Sequence, residues 1–315
     1  MVPPEYNFGM LNILGIALGI IFSVALFLFS VISFGKIIKN TAGPKIKSLL
    51  SSLTSNSFKG VIFGAVSTAI LQSSSAASVL VASLADAGLI SFYSTLGIIF
   101  GVNIGTTITS QLVAFNFMSV SPYIILLGLI IYWWGGTLKR YGKPIIYFGM
   151  LFFSIYLISV FVSKIDQGLV GSFLSITSNP IIAIFVGIIA SILLQSSSVV
   201  SGIVLVLAGA GQIDLAQSVG LILGANIGTT STVIIASLTM GKEAKKVALS
   251  HFLFNLIGVI LLLPFLGYFY KAVQWFDGDA IHQVANIHLI FNLICAALFL
   301  LMVKPFSRLI NIIIK

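Results

Sequence analysis

Residues 70–78 read Ile-Leu-Gln-Ser-Ser-Ser-Ala-Ala-Ser, and residues 193–201 read Leu-Leu-Gln-Ser-Ser-Ser-Val-Val-Ser. A second motif follows each: Gly-Val-Asn-Ile-Gly-Thr-Thr at 101–107 and Gly-Ala-Asn-Ile-Gly-Thr-Thr at 224–230. Gln72 and Asn103 are separated by the same stretch of chain as Gln195 and Asn226, and the copies are offset by 123. Aligned without gaps, residues 64–109 and 187–232 agree at 22 of 46 positions, so the chain carries an internal duplication.

Apolar segments flank each Gln-Ser-Ser-Ser: Phe58–Leu71 and Ala76–Ala85 in the first copy, Ile181–Leu194 and Val199–Ala208 in the second. All four fall short of the roughly 20 residues that cross a bilayer. Each pair therefore reads as a re-entrant helical hairpin with its polar tetrad at the tip. Irregular backbone at that depth is tolerated only where it is buried or lines a polar cavity. Longer apolar stretches at about 11–34, 91–117, 122–136, 144–163, 214–239, 247–265 and 280–303 read as spans.

Composition agrees. Hydrophobic residues make up 58% of the 315 and charged residues 7%. A soluble domain carries roughly 25% charge, so the expectation is an all-α integral membrane protein, one transmembrane domain over 1–315. The formal charge of +9 is then a topology signal, with no nucleic-acid partner implied. Met1–Met10 contains Glu5 but no Lys or Arg, unlike the start of a signal peptide. The lone Cys295 excludes an intramolecular disulfide and a cysteine metal cluster. With the N-terminus outside and the C-terminus cytoplasmic, seven spans and two hairpins put 14 of the 16 basic residues inside, leaving Lys164 and Lys271 outside. The two copies (about 45–163 and 164–303) then run in opposite senses, giving inverted-topology repeats in the cell membrane. Lys45–Leu53 and the tail 304–315 look amphipathic.

The tips are the candidate site. Gln72, Ser73, Ser74, Ser75, Gln195, Ser196, Ser197 and Ser198 are eight polar side chains in apolar sequence. Each would cost about 1–3 kcal/mol if buried without a partner. One serine bonding its own helix is ordinary; a duplicated tetrad is not. A tip begins a helix whose first N–H groups are unpaired and partly positive, a setting for an anion. The carbonyls ending the preceding helix, with hydroxyl and amide oxygens, suit sodium. The Asn-Ile-Gly-Thr-Thr runs are expected to break their spans beside the tips, with Asn and Thr as oxygen ligands, whereas Gly97 and Gly220 read as packing glycines. No lysine or arginine falls near the middle of a span, so a divalent anion is expected to meet no fixed cation and to need co-bound ones. Asp86 and Asp214 read as helix caps or loop charges. His251 and His288, each followed four residues on by Asn255 or Asn292, read as neutral clamps between helices. Tyr132, Trp133, Trp134, Tyr268, Phe269 and Tyr270 read as interface anchors. No hydrolytic or metal-enzyme constellation stands out, so no enzyme is expected.

Together the two tetrads, the two Gly-x-Asn-Ile-Gly-Thr-Thr runs and His251-Phe-Leu-Phe-Asn255 resemble the type II sodium/phosphate cotransporter family across about residues 45–303. The resemblance implies sodium-coupled symport of inorganic phosphate, with phosphate held by the eight tip residues. It implies sodium ligands among Gln72, Ser75, Asn103, Thr106, Thr107, Gln195, Ser198, Asn226, Thr229 and Thr230. Sodium would be the coupling ion, without an organic cofactor; the partners are phosphate, sodium and the lipid bilayer, and a homodimer is open. Phosphate also fits physically, because hydrogen phosphate donates a proton that Ser and Gln oxygens accept, while sulfate has none to donate. Two alternatives stand beside it: a transporter or exporter of another small oxyanion or carboxylate, and a sodium-independent anion channel.

Overall fold

The structure is a computed structural model. It describes the backbone of residues 5–52, 56–115, 117–164, 175–276 and 279–315, and side chains within 14–37, 56–115, 117–164, 175–275 and 279–315. The regular elements are helices: α1 (Glu5–Ser52), α2 (Ser57–Leu71), α3 (Ser74–Asp86), α4 (Phe92–Ala114), α5 (Ser121–Trp134), α6 (Lys139–Val162), α7 (Pro180–Leu194), α8 (Ser197–Gly209), α9 (Leu215–Gly228), α10 (Ser231–Ser237), α11 (Lys242–Leu262), α12 (Leu266–Phe276), α13 (Ala280–Leu301) and α14 (Val303–Ile313). Among the described residues, six stretches are long and apolar enough to cross a membrane: Leu14–Ile37, Phe92–Ala114, Gly136–Val162, Leu215–Ser237, Lys242–Trp275 and Ala280–Leu301. The expected span at 122–136 is the 14-residue α5, about 21 Å at 1.5 Å per residue and short of the hydrocarbon thickness. Large apolar side chains such as Ile21, Phe22 and Ile32 on α1 and Phe185, Ile189 and Leu193 on α7 face outward, as lipid-facing surfaces do.

Each duplicated unit opens with two helices that run side by side in the same direction, α2 with α4 and α7 with α9. Their closeness is a property of glycine. A Cβ on Gly97, Gly101 or Gly105 would run into the carbonyl oxygens of Ser57, Val61 or Ala65, one register held along the whole contact. On the partner helix, Gly64 is pressed against Ile98 O in the same way. In the second unit, Gly224 and Gly228 meet the Ile184 and Ile188 carbonyls in that same register, and Gly187 meets Leu221 O. Four-residue spacing puts these glycines on one stripe, which lets two backbones approach.

That packing corrects the expectation of a broken span in each copy. α4 runs unbroken through Gly101–Thr107. Only the second copy is interrupted, by a turn at Thr229–Thr230 between α9 and α10, and both residues keep right-handed helical torsions. The glycines serve helix contact more than irregular torsion, so the packing reading made for Gly97 and Gly220 extends to the whole motif.

Two apolar clusters hold the units together. One gathers Phe100 of α4, Phe254 of α11, Phe299 of α13 and Phe306 of α14; the Phe100 and Phe254 rings stack with centroids 5.0 Å apart. The other joins Phe27 of α1, Phe152 of α6, Val199 of α8 and Ile222 of α9. Asp214 caps α9: its carboxylate accepts from Gln217 N at 2.8 Å while its own N–H donates to Gln217 Oε1 at 2.8 Å. Asp86 ends α3 and is exposed. Trp133, Trp134 and Tyr268 are exposed, as anchors would be, but Phe269 is buried in the first cluster. The tail forms α14, burying Val303, Phe306 and Ile310 and exposing Lys304 and Arg308. Lys45–Leu53 lies outside the residues whose side chains are described.

Candidate functional site

Both tetrads lie between two short helices, and both tips are built alike. Gln72 ends α2 with φ 52° and ψ 27°, and Gln195 ends α7 with φ 53° and ψ 24°. Among the described residues, these are the two non-glycine residues in the left-handed region. That conformation costs an L-residue roughly 1–2 kcal/mol, so something must hold it. Each glutamine is held at both ends of its amide. Thr109 donates to Gln72 Oε1 at 2.9 Å, and Thr232 donates to Gln195 Oε1 at 2.8 Å. Nε2 of each donates to the carbonyl three residues back, Ala69 and Ile192. The next residue starts the return helix: Ser73 and Ser196 are extended N-caps whose hydroxyls accept from Ala76 N (3.1 Å) and Val199 N (3.4 Å). The abrupt reversal follows from a left-handed residue joined to an N-cap.

The two tips share one cavity of about 360 Å³. Gln72, Ser73 and Ala76 line it from one copy, and Gln195, Ser196 and Val199 from the other, with α1 closing a side. The first turns of α3 and α8 thus border the same space. The remaining tip residues turn away: Ser74, Ser75, Ser197 and Ser198 are absent from the lining. Ser74, Ser197 and Ser198 are buried, Ser197 Oγ has no hydrogen-bond partner among the described residues, and Ser75 Oγ lies 3.5 Å from Thr229 Oγ1. That last contact brings the first turn of α3 against the Thr-Thr turn of the other copy.

The second motif sits behind the tips. Thr106, Thr107 and Thr230 donate into their own helices, to the carbonyls of Val102, Ile104 and Ile227. Their oxygens keep lone pairs, so these bonds do not bar them from accepting a cation. Asn103 and Asn226 are buried, and each meets a histidine. His251 on α11 has Nε2 3.3 Å from Asn103 Oδ1 and Nδ1 3.1 Å from Ser78 Oγ. His288 on α13 has Nε2 3.0 Å from Asn226 Oδ1 and Nδ1 2.9 Å from Ser110 Oγ. An amide oxygen only accepts, so Nε2 carries the proton; in a neutral imidazole Nδ1 then accepts the serine hydroxyl. The clamp expected from sequence is present, although each partner amide comes from a different helix. Asn255 and Asn292 instead donate to the carbonyls of His251 and His288.

Several residues escaped sequence reading. Thr109 and Thr232 position the glutamines, and the constant offset between the copies, which pairs them, is the signal that marks them. Ser78 and Ser110 carry no motif of their own. Lys36, which follows the first expected span at about 11–34, also lines the tip cavity. The reason is that α1 does not end near residue 34 but continues as helix to Ser52, lying against the end of α2. Among the described residues, no group of three or more His, Cys, Asp or Glu is arranged to hold a metal ion.

The sequence that builds this geometry matches known proteins. A family model described as Na+/Pi-cotransporter matches twice, over residues 26–160 and 163–302, one match for each copy. "Uncharacterized protein YqeW" of Bacillus subtilis is 33% identical over 274 residues, covering 86% of this chain and 89% of that protein. "Putative inorganic phosphate export protein YjbB" of Escherichia coli is 26% identical over 280 residues, covering 87% of this chain; the chain spans 51% of that relative. "Sodium-dependent phosphate transport protein 2C" of Mus musculus is 46% identical over 91 residues, 27% of this chain and 15% of the mouse protein. No solved structure matches the chain.

Proposed function

The chain belongs to the Na+/Pi-cotransporter family, and from that premise we propose that it moves inorganic phosphate across a membrane in symport with sodium, by alternating access. The observation that carries this is the shared cavity: two duplicated tips, each starting a helix, border one space. There the unpaired N–H groups of the first turns of α3 and α8 donate to phosphate oxygens, and Ser73 and Ser196 add hydroxyls. Ser74, Ser75, Ser197 and Ser198, outside the lining, complete the site as the cavity closes around the ion. Sodium takes the oxygens behind the tips, from Gln72, Ser75, Asn103, Thr106 and Thr107 in one copy and Gln195, Ser198, Asn226, Thr229 and Thr230 in the other. A dianion out of water needs its charge balanced, and helix termini supply at most about 2 kcal/mol each, so cations that bind with it couple its transport to theirs.

The hairpins are taken to be re-entrant and the copies inverted, with the N-terminus outside and the short α5 crossing where the bilayer thins to its length. In this conformer Gln72 is buried and Gln195 is exposed. Exchange of these surroundings is the movement that alternating access between repeats requires. The gradient imposed sets the direction.

The test is uptake of radiolabelled phosphate into liposomes holding the purified chain, with an inward sodium gradient or with potassium in its place. Saturable, sodium-stimulated uptake is expected, with unlabelled sulfate competing poorly. Ser74→Ala and Ser197→Ala are expected to weaken phosphate affinity or slow turnover while the protein stays folded. Uptake that is indifferent to sodium and does not saturate would replace the symporter with a channel.

A further inference from the structure

Among the described residues that line the tip cavity, Lys36 alone is ionisable. Its placement is structural. Gly35, the residue before it, lies so close to the end of α2 that a Cβ there would sit 2.7 Å from Leu71 O. The absent side chain lets α1 press against the last residue of α2, one position before Gln72 and the tip. Lys36 is thereby carried to the rim of the space that Ser73 and Ser196 border. It is exposed, and among the described residues no acidic side chain shares the lining.

We propose that Lys36 is the fixed cation of the anion site. Its ammonium, a hydrated point charge on a flexible stem that lines the same cavity as the tips, holds part of the dianion's charge before sodium binds. This rests on the phosphate reading given above and deepens it by adding a residue outside the repeated motifs. Position 36 lies outside the aligned stretches 64–109 and 187–232, so among the described residues one lysine is set against two tips of like build. The lysine therefore belongs to the side of the cavity that α1 covers.

The charge is the part to remove. Lys36→Gln and Lys36→Met are expected to raise the phosphate concentration for half-maximal uptake about tenfold, which corresponds to about 1.4 kcal/mol. Lys36→Arg is expected to stay within about threefold of the parent, an effect below about 0.7 kcal/mol. The parent should lose phosphate affinity as choline chloride is added at fixed sodium, and Lys36→Gln should lose less, because screening acts on a charge that the variant lacks. A purely structural lysine would not produce that difference in salt response. If the parent takes up phosphate and both neutral variants half-saturate where it does, Lys36 is not the anion's partner and the tip site stands without it. If Lys36→Arg falls as far as Lys36→Gln, charge is not its role and the inference is overturned. If the parent neither takes up nor binds phosphate, the transport reading fails and takes this one with it.

Discussion

Gln72 and Gln195 stand at the same place in their copies, with the same left-handed torsions and the same bond to a threonine further along the chain, Thr109 or Thr232. Their surroundings differ. Gln72 is 8% exposed, while Gln195 lies open. Further along each return helix, Ser78 is joined to His251, whereas its counterpart Ser201 is buried with no partner among the described residues. The two asparagines differ too: Asn103 uses its Nδ2 on Ile99 O at 2.9 Å, and Asn226 Nδ2 is left without a partner among the described residues. The source of the difference lies outside the aligned stretches 64–109 and 187–232. His251 takes both of its bonds from the first copy. His288 takes Asn226 from the second copy but Ser110 from the first, because the position equivalent to Ser110 is Val233. Duplicated sequence thus repeats local geometry, while the helices that surround each copy make the copies unequal.

Each prediction probes where likeness stops. The largest effects should fall on the glycine stripes, where the copies agree. Gly101→Ala and Gly224→Ala each drive a methyl into a carbonyl oxygen, and each should cost about 3 kcal/mol, at the upper end for overpacking, with a matching loss of thermal stability in detergent. A large gap between the two variants would break the equivalence. Next come the clamps. His288→Ala leaves Asn226 and Ser110 unpaired across the two copies, at about 1–3 kcal/mol, and the loss should be read as earlier unfolding by fluorescence-detected chromatography.

The threonines give the cleanest contrast. Thr109→Val strands the buried Gln72 oxygen and should cost about 1–2 kcal/mol. Thr232→Val removes the same bond from an oxygen that water reaches, and should change stability by only a few tenths of a kcal/mol, the range of surface substitutions. Equal melting shifts for the pair would mean that the two tips share one environment. Smallest of all, Ser201→Ala removes a hydroxyl that bonds to nothing among the described residues and should be neutral or slightly stabilising, while Ser78→Ala loses the bond to His251 and should cost about 1 kcal/mol.

The pair of short helices around each tetrad was legible because helix length is a one-dimensional quantity: two brief apolar segments around a polar tetrad cannot be one span. Motif repetition pointed equally well to the tips and to the histidines. The broken helix was misread in the first copy, since glycine serves both irregular torsion and close packing, and sequence alone does not separate them. The fixed register that sets Gly101 against Val61 and Gly105 against Ala65 does. For a related reason, Lys36 was not singled out. A charge after an apolar run signals a boundary in sequence, but a helix that continues past the boundary carries it to another element.

From the sequence by itself come the membrane class, the duplication, the two tips and the family, because composition, period and motif spacing are local and survive without coordinates. Which four tip residues border the shared cavity, which asparagine each histidine takes, and where the one lysine lies were decided only in the fold. Those relations join residues far apart along the chain, and packing between helices, not the order of residues, determines them.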